Sequence, residues 1–101
     1  MTVKILIPTP LRRVCDGETE LEFDLKKDPT TYDEVLKEVI RRYPGIKETL
    51  YIDGHLNRFV NHFIDQEDIR FLNGLESLVK DGTEISIVPS IAGGAYNNYC
   101  I

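Results

Sequence analysis

Ile85-Ser86-Ile87-Val88-Pro89-Ser90-Ile91-Ala92-Gly93-Gly94 runs a strand-like segment straight into a pair of glycines. Isoleucines 85 and 87 alternate with Ser86 in a β-branched run, which is the pattern of a buried strand. The glycines do not belong to a core. Without a Cβ, Gly93-Gly94 reaches backbone angles closed to other residues and threads a channel too narrow for side chains. Seven residues follow, Ala95-Tyr96-Asn97-Asn98-Tyr99-Cys100-Ile101, an extended reach of no more than about 25 Å. A flexible joint is the alternative reading of the pair, but these seven residues carry no further domain for it to join. The expectation is a folded base over residues 1–92 that holds out a diglycine arm at 93–94, with 95–101 as a separate segment.

Working outward from that stretch, Asp81-Gly82 turns the chain into the terminal strand, and Leu75 and Leu78 are expected to cover one end of the core. Ile69 to Leu72 reads as a short edge strand. Arg58 to Ile64 reads as another strand, with Phe59, Asn61 and Phe63 on one face and Val60 and Ile64 on the other around His62. At the far end of the chain, Val3, Ile5 and Ile7 alternate within a first strand closed by Pro8-Thr9-Pro10. Leu21, Phe23 and Leu25 alternate with Glu20, Glu22 and Asp24 in a second, and the two form a hairpin across a polar turn at Asp16-Gly17. Between these groups of strands Thr31 and Glu34 make a capping box. Val35, Leu36, Val39, Ile40 and Tyr43 then form one helical stripe, stopped by Pro44-Gly45. A short helical turn over 46–51, closed by Gly54, follows.

One helix needs an apolar surface to lie on, and a mixed sheet of four or five short strands supplies it. A right-handed crossover through that helix leaves the first and last strands side by side in the middle of the sheet. The expected fold is therefore α+β, the β-grasp or ubiquitin-like arrangement.

Composition narrows the function. A chain of 101 residues with a 42% hydrophobic share is one globular domain that buries a small core without staples. Seventeen acidic against twelve basic residues give a net charge of −5, which argues against a nucleic-acid surface and favours partners with basic docking faces. Cys15 and Cys100 have no metal-ligand or disulfide spacing and read as reduced thiols. Two cysteines also exclude an iron–sulfur cluster held by four. No stretch reads as a signal peptide or a membrane span, so the expected compartment is the cytoplasm and no membrane partner is expected.

Six segments in order then carry a resemblance. They are Ile7-Pro8-Thr9-Pro10-Leu11-Arg12-Arg13, Arg42-Tyr43-Pro44-Gly45-Ile46, His55-Leu56-Asn57-Arg58-Phe59-Val60-Asn61, Glu67-Asp68-Ile69-Arg70-Phe71-Leu72-Asn73-Gly74-Leu75, Lys80-Asp81-Gly82-Thr83-Glu84-Ile85-Ser86-Ile87-Val88-Pro89 and Ala92-Gly93-Gly94. From Met1 to Gly94 the chain resembles the ubiquitin-like sulfur-carrier proteins, the group of the molybdopterin-synthase small subunit, the thiamin sulfur carrier and the carrier of protein-bound cysteine synthesis. The resemblance implies a protein cosubstrate without catalytic residues or bound cofactor. Its reactive group is the α-carboxylate of Gly94. A ubiquitin-activating-like partner adenylates that carboxylate with ATP, a sulfur donor displaces AMP, and the resulting thiocarboxylate passes sulfur to an acceptor enzyme.

Gly94 departs from the simple pattern because its carboxyl group is tied in an amide to Ala95. The resemblance implies a precursor in which residues 95–101 are a pro-segment, cut between Gly94 and Ala95 by a zinc metalloprotease of deubiquitinase-like type. The alternative is a ubiquitin-like modifier joined through Gly94 to lysines of other proteins. Phe71, Leu72 and Leu75 are candidates for docking the activating enzyme, with core packing as the competing reading. Arg12, Arg13, Arg58 and Arg70 read as solvated or as contacts to acidic groups. His55 and His62 lack the further ligands of a metal site, and Asn61 and His62 are expected as polar residues on the sheet surface.

Overall fold

The computed structural model describes residues 1–89, and the diglycine arm, the Gly94–Ala95 junction and Cys100 lie outside them. The strands are β1 (Thr2–Leu6), β2 (Glu20–Asp24), β3 (Thr30–Thr31), β4 (Tyr51–Ile52), β5 (His55–Leu56), β6 (Val60–Ile64), β7 (Glu67–Asp68), β8 (Leu78–Val79) and β9 (Glu84–Pro89). Helix α1 (Tyr32–Arg42) crosses between β3 and a second, four-residue helix, α2 (Lys47–Leu50). The main sheet has the order β2-β1-β9-β6-β7, while β3-β8 and β4-β5 form two small ribbons. β1 and β9 lie side by side and parallel in the middle, as the crossover argument requires. This is the β-grasp.

Local chemistry accounts for the helix. Thr31 Oγ1 accepts the Glu34 N–H at 3.3 Å and satisfies one free donor of the first turn. Tyr32, Val35, Leu36 and Val39 form the buried stripe. It lies on Val3 and Ile5 of β1, Leu21 and Phe23 of β2, Val60 and Ile64 of β6, and Ile85 and Ile87 of β9, all part of one core cluster. The helix ends at Arg42, and Pro44–Ile46 turns the chain into α2.

Four expectations are corrected. Ile69 to Leu72 is not an edge strand: the edge is β7, and Ile69–Phe71 is a 3₁₀ turn. Asp68 Oδ1 accepts the Arg70 N–H at 2.8 Å, a side-chain cap that starts a helical turn where a strand needs the same donor for its ladder. Leu78 is exposed, because its neighbour Val79, paired with Thr30, takes the inward position of β8; Leu75 is half-buried against the core. His62 is buried rather than on the surface, since the pleat turns it to the same side as Val60 and Ile64. Finally, the segment after β1 is more than a turn. Thr9–Cys15 is a 3₁₀ helix that buries Leu11 and Cys15, closed by Asp16 with φ 56°.

Candidate functional site

Two backbone bonds define how β9 is held. Lys4 N–H donates to Thr83 O at 3.0 Å and Asp65 N–H donates to Glu84 O at 2.8 Å. Since N–H and C=O of one strand residue point the same way, odd residues of β9 turn their backbone to β1 and even residues to β6. Pro89 therefore faces the β1 side, beyond Leu6, where that strand has already ended. A residue without an N–H is tolerated there because no ladder partner waits for one. The strand is thus anchored on both sides up to Ile87 and on one side only where Pro89 stands opposite Val60.

The face of the sheet turned away from α1 carries the second feature. Leu6, Ser86 and Phe63 lie in one cross-strand row, and Val88 lies opposite Asn61 in the next. Val88 is 43% exposed and Leu6 and Phe63 are half-buried, so an apolar strip crosses the outer face beside the end of β9. Diagonal neighbours at this spacing are within reach of long and aromatic side chains. Phe59 borders the strip, 39% exposed, with the Arg58 guanidinium 5.0 Å above its ring. The link that carries both is pinned by Asn57, which is buried; its Nδ2 donates to Thr49 O at 3.0 Å and its Oδ1 accepts the Phe59 N–H at 2.9 Å.

On the other border Arg70 Nη2 donates to Asn61 Oδ1 at 2.7 Å, which draws the Ile69–Phe71 turn to the edge of this face. Phe71 is 83% exposed and Leu72 is also exposed, whereas Leu75 packs on the core. Of the three residues proposed from sequence for docking, two are thus on the surface and one is shared with the interior. Leu6, Phe59, Phe63 and Val88 were not singled out. The signal was there: β1, β6 and β9 each place apolar residues on both faces, which a half-buried strand facing water does not need.

Chemical reactivity among the described residues is low. Burial raises the Cys15 thiol above its ordinary value, with the Asp16 charge adding to it, so the thiolate is scarce. No group of three His, Cys, Asp or Glu is placed to hold a metal among the described residues. No helix among them is long and apolar enough to cross a membrane.

Residues 5–94 match the ThiS family, a span that closes on the second glycine. The chain belongs to the ThiS family. As a ThiS-family protein it is 35% identical to the sulfur carrier protein CysO of Mycobacterium tuberculosis over 97 residues, covering 93% of this chain and all of that one. A chain in the crystal structure of the Amycolatopsis orientalis BexX/CysO complex matches at 40% identity with a TM-score of 0.77, across 91% of this chain and 99% of that chain. Small archaeal modifier protein 3 of Haloferax volcanii is 30% identical over 67 residues, 66% of this chain and 73% of the modifier. Relatives of this chain thus include both sulfur carriers and an archaeal modifier protein.

Proposed function

We propose that this chain is the precursor of a sulfur carrier whose working group is the carboxylate of Gly94. The place of that residue carries the reading: the ThiS match closes on Gly94, five residues past the Pro89 end of β9. Hydrolysis of the Gly94–Ala95 amide, by a zinc metalloprotease of deubiquitinase-like type, releases residues 95–101 and frees the carboxylate. A carboxylate oxygen then attacks the α-phosphorus of ATP in an activating partner, and pyrophosphate leaves. The mixed anhydride is a strong electrophile, and a sulfide donor attacks its carbonyl carbon as AMP departs. The product is a C-terminal thiocarboxylate, whose sulfur an acceptor enzyme uses in amino-acid or cofactor biosynthesis.

This protein's contribution is presentation. A bare Gly93-Gly94 backbone fits a closed nucleotide site, and holding it there converts a bimolecular encounter into an oriented one. The apolar strip of Leu6, Phe63 and Val88, bordered by Phe59, Phe71 and Leu72, is the face offered to the partner, since exposed apolar surface rimmed by charge suits protein docking. No catalytic side chain is assigned. A carrier that draws on ATP and reduced sulfur in this way works in the cytoplasm.

Intact-mass analysis tests the reading, with full-length and Gly94-terminated chains incubated with ATP, hydrosulfide and an activating enzyme of this family. Only the shortened chain is expected to exchange one oxygen for sulfur. Failure of that chain to accept a nucleotide overturns the proposal. The match to an archaeal modifier protein supports a second reading, conjugation through Gly94 to lysines. Ladders of the chain on denaturing gels that survive thiol treatment identify that outcome.

A further inference from the structure

The face of the sheet turned away from α1 is divided by charge. Across β2, β1, β9 and β6 one row reads Glu20, Leu6, Ser86 and Phe63. The next row reads Glu22, Lys4 and Glu84, two residues along each strand and so about 7 Å away. Glu20 and Glu22 are exposed, and Lys4 and Glu84 are half-buried. Lys4 Nζ lies 3.9 Å from Glu20 Oε2, its one ion pair among the described residues. Glu22 and Glu84 flank Lys4 on the two neighbouring strands and form no ion pair there. Three glutamates thus gather around one lysine, directly beside the apolar strip.

Two simpler explanations fall short. Charge on an edge strand keeps sheets from pairing edge to edge, and β2 is an edge. That accounts for Glu20 and Glu22. It does not account for Glu84, because β9 runs between β1 and β6 with no edge to protect. Cross-strand ion pairing is the other explanation, and it calls for as many lysines as glutamates. The excess of negative charge matters to whatever covers the strip. An interface closes around an apolar centre with a polar rim, and here the rim on the side of β1 and β2 is acidic.

We propose that the strip and the glutamates are one docking surface, and that the activating partner meets it with an apolar ridge bordered, about 7 Å further on, by lysine or arginine side chains. A second copy of this chain does not fit. A two-fold axis along the strands sets glutamates over glutamates, and one across the strands sets them over the strip, so that carboxylates lose water without gaining a counter-charge. A nucleic acid is repelled by the same charges. In naming the activating partner the inference rests on the carrier reading, while the sign of the partner's charge comes from this face alone.

The test is binding of the full-length chain and its Gly94-terminated form to an activating enzyme of this family, without ATP, at about 50 and about 300 mM salt. Glu22→Gln with Glu84→Gln is expected to weaken binding ~10-fold at the lower salt and by no more than ~2-fold at the higher, since screening removes the contribution of surface charges. Lys4→Gln is expected to act in the opposite direction and tighten binding ~3-fold at the lower salt. Urea midpoints of both variants are expected to stay near that of the wild type. A merely structural role weakens binding in both variants alike. That result, or binding indifferent to Glu22→Gln with Glu84→Gln at the lower salt, overturns the proposal. So does a wild-type dimer in sedimentation that Val88→Asp dissociates, because the face then belongs to a second copy. Adenylation is scored separately. A chain that binds with these charge effects and never accepts a nucleotide removes the carrier reading and leaves the surface standing, whereas a chain charged normally without them removes the surface and leaves the carrier reading.

Discussion

Ile87 and Val88 are neighbours in sequence on opposite faces of β9. Ile87 is packed into the layer between sheet and α1, with Ile85 and Val60 in the same cluster. Val88 faces away from the helix, 43% exposed, with no element layered over it among the described residues. Both are β-branched and apolar, so strand propensity does not separate them. The inner face is explained by folding: removing area there from water contributes about 25 cal/mol per Å². The outer strip is not explained that way, and its chemistry points outward to another molecule.

Substitutions should separate the two faces. Ile85→Ala on the inner face is expected to cost about 3 to 4 kcal/mol, since it combines lost transfer energy with a cavity in a close-packed layer. Urea unfolding measures this as a lower midpoint at unchanged slope. A cost below about 1 kcal/mol breaks the contrast, because it means that the inner face is no better packed than the outer.

Acid is expected to act on the inner face next. Desolvation holds His62 at about 4, below the ordinary 6.5, with Asp68 opposing and Arg70 reinforcing the shift. The unfolded chain binds a proton here before the folded one does, so stability rises with pH across this interval. The contribution is complete above about 6.5 and is lost as pH falls towards 4, amounting to about 3 kcal/mol at one pKa unit per 1.36 kcal/mol. Arg70 hydrogen bonds hold Asp68 below the usual carboxylate range and add a loss of the same sign at lower pH. Chemical unfolding at a series of pH values measures the slope, and a flat profile between 6.5 and 4 contradicts the burial of His62.

Asn57→Ala lies between the faces, because the inner post it forms supports the exposed Arg58 and Phe59. The loss of its bonds to Thr49 O and Phe59 N–H is expected to cost about 2 kcal/mol and to loosen the link. Hydrogen exchange at the Phe59 amide reports this directly. The smallest stability effect belongs to Val88→Ser with Phe71→Ser, within about 0.5 kcal/mol each as exposed positions. If the outer strip docks the activating partner, the same pair raises KM for the carrier in the sulfur-transfer assay. Loss of stability without a change in KM reverses the assignment of the two faces.

Patterns close in sequence were legible before the structure. The hairpin, the capped helix from Thr31, its stop at Pro44-Gly45 and the middle position of the last strand all rest on periodicity, caps and connection rules that act over a few residues. Errors arose where a side chain competed with the backbone or where two faces were both apolar. Asp68 turned a strand-like 69–72 into a helical turn by taking the Arg70 donor. His62 was misplaced because its polarity outweighed its parity with Val60 and Ile64. The exposed apolar residues were partly legible, Phe71 and Leu72 reaching the surface, while the outward-facing Leu6, Phe63 and Val88 were obscured by strands whose faces both look buried.

By itself the sequence determined the order of hairpin, helix and last strand, the buried stripe of that helix, and a Gly-Gly pair that carries no side chains. These are properties of one residue and its near neighbours. The tertiary structure alone decided which outward residues meet, that Pro89 falls beyond the last bond of β1, and that Glu22, Lys4 and Glu84 share one cross-strand row. Cross-strand register joins residues far apart in the chain, and a shift of one position turns every side chain to the other face. Only the packing of α1 on the whole sheet selects between those registers.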